Sequence, residues 1–187
     1  GNTTNAKDGF DIAALSIQYR SAAYTELSKI YFRERNYGKA IEYAEKSLDF
    51  NKTNLQALQV IAVIYRLQKD KIKGEEQLEK ILSIDRLNHF ARLEKYLWNS
   101  AEPVKKNFLS LVRNELPHET FLELATWYRE LDQNDDAFMV LSMAPETAEI
   151  LYWLAFLKRN STEGEILLQK AITASPLLSF PFREASV

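Results

Sequence analysis

The chain has 187 residues, 46% hydrophobic and 27% charged, with 24 Lys+Arg against 26 Asp+Glu, two His and no Cys. That apolar share excludes a disordered chain, and a net charge of −2 gives no field to gather nucleic acid or an anionic membrane. The lack of Cys excludes disulfides, thiolate chemistry and Cys-based zinc sites, and no apolar run reaches the length of a membrane span.

Apolar residues return at helical spacing throughout, and no alternating stretch of useful length argues for a strand. The pattern predicts about eleven helices, near 5–17, 21–35, 37–50, 55–68, 71–84, 88–99, 103–114, 118–131, 134–143, 147–159 and 162–174. Residues 5–20, with Ala6, Phe10 and Ala13, read as the second helix of a pair whose first helix is absent, so the chain is expected to be a fragment that begins mid-repeat. The stretch 21–54 carries Tyr24, Leu27, Ser28 and Tyr31, then Ala40, Ala44 and Ser47. Adding 34 lands on Leu58, Ile61, Ala62 and Tyr65, then Gly74, Leu78 and Ile81, in 55–88. The stretch 89–117 is degenerate, with Phe90, Leu93, Leu97 and Trp98 on one helix and Val104, Phe108 and Leu111 on one face of the next, opened by Pro103. The spacing returns in 118–147 as Phe121, Leu124, Ala125, Tyr128, Ala137, Leu141 and Ala144, and in 148–178 as Leu151, Leu154, Ala155, Gly164, Leu168, Ala171 and Pro176. An apolar tail, 177–187, closes the chain.

This offset pattern resembles the tetratricopeptide repeat, which implies an all-α fold: a right-handed α-solenoid of antiparallel helix pairs running as one domain over 1–187. Small side chains at Ser28, Ala62, Ala125 and Ala155 on each first helix, and at Ala40, Gly74, Ala137 and Gly164 on each second helix, would let the pairs nest. The stretches AKDGFDIAALSIQYRSAAYTELSKIYF, LNHFARLEKYLW, ILYWLAFLK and SPLLSFPFRE further resemble the C-terminal repeat region of large bacterial proteins bearing an N-terminal β-sandwich domain of unknown function. That resemblance implies a helical appendage of a larger protein with links to carbohydrate, and it carries no catalytic residue.

Enzymatic groupings are missing. The scattered glycines form no phosphate-cradling loop, and His89 and His118 have no neighbour at metal-ligand spacing, so each is expected at a surface or cap near a helix start. Glu75–Glu76 and Asp135–Asp136 fall at helix starts, where the dipole favours acids. Asn51-Lys52-Thr53 and two other triplets match the glycosylation pattern, which arises often by chance. No catalytic, cofactor or metal residue is assigned.

Offsets left over from packing should face an open wall: Ala22, Thr25, Glu26, Lys29, Phe32 and Arg33, then Gln56, Gln59, Val60, Val63 and Arg66, then Glu119, Glu123, Thr126, Arg129 and Glu130, then Glu149, Tyr152, Trp153, Phe156 and Arg159. Arg66, Arg129 and Arg159 share one offset and Arg33 falls one later; they form either a row for carboxylates or separate charges at the negative ends of their own helices, the second reading being preferred. Tyr152, Trp153 and Phe156 make an aromatic cluster of the kind found in binding hot spots, though such rings also fill solenoid cores. The partner-binding candidates are Lys29, Arg33, Gln59, Arg66, Arg129, Tyr152, Trp153, Phe156 and Arg159. The offsets at which related repeats clamp a chaperone's terminal carboxylate hold Thr25, Lys29, Gln59 and Val63 here, so that ligand is not expected. The expected function is a non-catalytic scaffold for a protein, a peptide or another domain of the same chain, with no nucleic-acid or membrane partner. The alternative is an accessory module that positions or completes the site of an attached carbohydrate-active domain. A soluble, cytoplasmic setting is favoured.

Overall fold

The computed structural model describes residues 3–113 and 116–175; Pro176 and the apolar tail lie outside the described residues. Among the described residues all regular structure is helical: α1 (Thr3–Ala13), α2 (Ile17–Arg33), α3 (Tyr37–Phe50), α4 (Leu55–Leu67), α5 (Lys71–Ile84), α6 (His89–Asn99), α7 (Glu102–Leu111), α8 (Pro117–Glu130), α9 (Asn134–Leu141), α10 (Ala148–Leu157) and α11 (Thr162–Thr173). The chain divides into two compact units, Gly1–Leu111 with α1–α7 and Val112–Val187 with α8–α11.

Each helix starts and stops for a local reason. Asn36, Asn54, Asp70 and Asn88 cap α3, α4, α5 and α6, their side chains accepting from the backbone N–H of Lys39, Ala57, Lys73 and Ala91 at 3.0–3.3 Å. Thr147 and Ser161 do the same for α10 and α11. Three hairpin turns share one geometry. Arg35, Lys69 and Asp132 sit in the left-handed region at φ 59°, 60° and 59°. The following N–H groups, of Asn36, Asp70 and Gln133, donate to the carbonyls of Tyr31, Tyr65 and Tyr128 at 2.9, 3.0 and 2.9 Å.

The main departure from expectation is the first junction, where α1 stops at Ala13 and α2 begins at Ile17, each four residues early. The guanidinium of Arg20 accounts for it: Nε donates to the Ala14 carbonyl at 2.6 Å and Nη2 to that of Leu15 at 3.0 Å. Those carbonyls are thereby satisfied without another helical turn.

In residues 1–111 the helices pair as α2/α3, α4/α5 and α6/α7, with α1 against α2 and each second helix against the next first one. The pairing is the solenoid arrangement of stacked helical hairpins. All eight small residues predicted at the joints are buried. Ser28 Oγ donates to the Ala40 carbonyl at 2.7 Å, so a hydroxyl both spaces and bonds that joint. Ala44, Ala57 and Ile61 form a tight cluster flanked by Leu48 and Tyr65, which binds α3 to α4. Gly74 faces onward: an added Cβ would lie 2.5 Å from Cζ2 of Trp98 in α6, the next hairpin. In α7 Phe108 is buried whereas Leu111, expected beside it, is exposed.

Residues 112–187 hold the pairs α8/α9 and α10/α11, with α9 against α10. Tyr128, Leu131, Ala137, Val140, Leu141, Ile150 and Leu151 make its core. A Cβ on Gly164 would strike the Lys158 carbonyl, because α11 starts tight against the end of α10.

Candidate functional site

In the first unit much of the expected open wall is closed. Thr25, Phe32, Val60 and Val63 are buried, not facing a groove, because α2 packs on α4 and α4 on α6 as well as on their own hairpin partners. Lys29 is 4% exposed and its Nζ donates to Glu26 at 2.9 Å. Arg66 Nε donates to Glu94 Oε2 at 2.8 Å, and Glu94 is 0% exposed, so this guanidinium serves an internal carboxylate on α6. Gln59 is half-buried and Arg33 exposed. A polar node joins α2, α3 and α4. Asn54 Nδ2 lies 3.1, 2.9 and 2.9 Å from the hydroxyls of Ser21, Thr25 and Ser47, its two hydrogens shared among the three, while Ser47 Oγ donates to the Ser21 carbonyl at 2.8 Å. What stays open is a cleft of about 310 Å³ lined by Phe10, Tyr19, Ala22, Glu26 and Gln56 among others.

The second unit keeps its candidates together. Arg129 near the end of α8 reaches α10, its Cζ 5.1 Å from the Trp153 ring centre and 5.6 Å from that of Phe156. Trp153 meets Phe156 edge-on, centroids 6.0 Å apart at 85°. Arg159 places Cζ 4.8 Å from the same Phe156 ring and donates from Nη1 to the Phe156 carbonyl at 3.2 Å. The two arginines thus behave differently: Arg159 does serve its own helix end, whereas Arg129 leaves its helix for an aromatic pair on the neighbour. Phe156 is 44% exposed, large for a ring held by such contacts, and Tyr152, one turn earlier on α10, is 47% exposed. Beside them α10 and α11 frame a cleft of about 270 Å³, lined by Tyr152, Ala155, Phe156, Arg159, Glu165 and Leu168, with Gly164 at its edge.

His118 lies in the first turn of α8, at a helix start as expected, but is 4% exposed and so faces inward and not to a surface. His89 is the first, half-buried residue of α6. Asp135 and Asp136 do sit in the first turn of α9, but Glu75 lies a full turn into α5, 3.7 Å from Lys71. The hydrogen bond and then the charge of Lys46 hold the Glu42 carboxyl below its usual range, and the same bond raises Lys46. Burial, then the charge of Asp11, pushes the Tyr43 phenol up. Among the described residues no group of three or more His, Asp or Glu could hold a metal ion, and no helix is long and apolar enough to cross a membrane. Glu94 and the Asn54 node were not anticipated; the only sequence signals were an acid inside an apolar helix face and a cap residue 33 positions after a serine.

The geometry defines stacked helical hairpins within each unit, with an aromatic and arginine face on α8 and α10 of residues 112–187. A family model, Tetratricopeptide repeat, matches residues 21–54. Over 92% of the chain the fold is similar to a tetratricopeptide repeat protein from Parabacteroides merdae ATCC 43184, with 13% identity, 73% of that chain covered and a TM-score of 0.52. Weaker likenesses are to YrrB, described as a TPR protein with an unusual peptide-binding site (17% identity, 90% of this chain and 93% of that one, TM-score 0.45), and to MamA (15%, 83% and 87%, TM-score 0.43). No curated protein matches the chain.

Proposed function

We propose that this chain is a non-catalytic binding scaffold, which holds a protein segment or another domain of its own parent chain on the exposed first-helix face of residues 112–187. The observation that supports this most is that Arg129, Tyr152, Trp153, Phe156 and Arg159 meet on one face with two of the three rings about half exposed. Aromatic and arginine side chains held rigid but open are the composition of binding hot spots, since little side-chain freedom remains to be lost on association. Arg33 and Gln59 are secondary candidates in the other unit; Lys29 and Arg66 act inside the scaffold.

The test is site-specific photo-crosslinking in the full-length protein, with a photoreactive phenylalanine at Tyr152 and, as control, at the exposed Lys80 on α5. Adducts with a defined protein or a domain of the same chain are expected from Tyr152 and not from Lys80. Equal yields from both positions, or adducts from Lys80 alone, would refute the reading.

A further inference from the structure

Resting on that scaffold reading, we infer that the α10/α11 face takes an acidic peptide segment whose carboxylates meet Arg129 and Arg159 while an adjacent large apolar side chain enters the cleft beside Phe156. The charge pattern carries this. Both guanidinium carbons lie within 6 Å of the Phe156 ring centre, at 5.6 and 4.8 Å, and neither group has a carboxylate within 4.0 Å among the described residues. A guanidinium attracted to a ring uses its charge and leaves its N–H groups for other acceptors. Among the described residues Arg129 makes ring contacts alone, which leave its N–H fork unused there, and Arg159 commits one N–H, to the Phe156 carbonyl. Two forks held over the same ring, with no carboxylate beside them among the described residues, call for carboxylates, which accept from them in pairs.

The cleft adds the second requirement. Its walls are Tyr152, Ala155, Phe156 and Leu168, and Leu168 and Ile172 extend the apolar surface along α11. Glu165 is the carboxylate in this wall, and it repels a second acid at that point. The residue entering the cleft is therefore uncharged and apolar, and the acids flank it on the arginine side. Gly164 sets the width of the cleft, because any side chain there would drive α11 away from the end of α10.

The probe is the blocked peptide acetyl-Glu-Asp-Leu-Phe-Asp-Glu-amide, with its Gln/Asn counterpart as control. Each is titrated into the full chain and followed by the indole N–H resonance of Trp153, assigned through Trp153→Phe. The expected result is a saturable shift of that resonance, with the amide counterpart at least about tenfold weaker. Arg129→Gln and Arg159→Gln should each weaken the acidic peptide by about tenfold while lowering the melting temperature by no more than about 2–4 °C, since both side chains are exposed. Raising salt should weaken it further. Equal binding of the two peptides, an unmoved Trp153 resonance, or full affinity in both arginine variants would overturn the inference. Crosslinking from Tyr152 alongside equal binding of the two peptides would sink this inference alone and leave the scaffold reading standing.

Discussion

Adding a single methyl group at each helical glycine separates helix preference from packing in this chain. Gly→Ala gains up to about 1 kcal/mol in a helix interior, and overfilling a close joint costs about 1–3 kcal/mol. At Gly9 and Gly38 nothing lies within 4 Å of the new Cβ, so the gain stands alone and stability should rise by about 0.5–1 kcal/mol. At Gly164 the obstacle is the backbone of Lys158 and Arg159, which has no rotamer to retreat to. The cost there sits at the upper end, for a net loss of about 2 kcal/mol and a fall in melting temperature of about 4–8 °C. At Gly74 the obstacle is the Trp98 ring, 2.5 Å away but half-buried and able to tilt, so the net loss should be about 1 kcal/mol or less. Urea unfolding followed by circular dichroism gives the four values, provided the slope with denaturant is unchanged. Gly164→Ala as stable as the parent, or Gly9→Ala and Gly38→Ala no better than Gly164→Ala, would refute the assignment of packing as the deciding term.

Glu94→Ala removes one member of a buried pair and should destabilise by about 3 kcal/mol, whereas Arg66→Met with Glu94→Leu should recover most of that loss; chemical denaturation of single and double variants decides. Lys69→Gly relieves a left-handed conformation at φ 60° and should raise stability by about 1 kcal/mol in the same assay; a drop would mean that the lysine contacts outweigh the strain. The Tyr43 phenol is held above its ordinary range by burial and then by Asp11, so the fold favours the neutral form. That stabilisation is fully present below the usual tyrosine range and is lost as pH rises through the raised folded value. Ultraviolet titration against Tyr43→Phe should show it, and Asp11→Asn should bring the transition down.

Much of the fold was legible because packing acts at fixed offsets. The residues Ser28, Ala40, Ala62, Gly74, Ala125, Ala137, Ala155 and Gly164 are all buried at helix joints, and the helix ends follow from Asn and Asp caps readable as letters. The candidate wall was legible only in part. An offset tells which side of a helix a residue occupies, but not whether a neighbouring first helix covers that side. Thr25, Phe32, Val60 and Val63 therefore read as open and are buried. The partner of Arg66 was invisible because Glu94 stands 28 residues away, in the copy where the pattern degenerates. The α1–α2 junction depended on where the side chain of Arg20 bonds, and periodicity does not report that.

The node around Asn54 has a mechanical corollary. Apolar seams between helices are held by forces with little directional preference, so one ridge can creep along another at small cost. The hydroxyls of Ser21, Thr25 and Ser47 leave no such latitude: a displacement of an ångström would break several bonds to Asn54 together. Under load, α2, α3 and α4 should move as one stiff block, and the give should be taken up where hairpins meet through hydrocarbon alone.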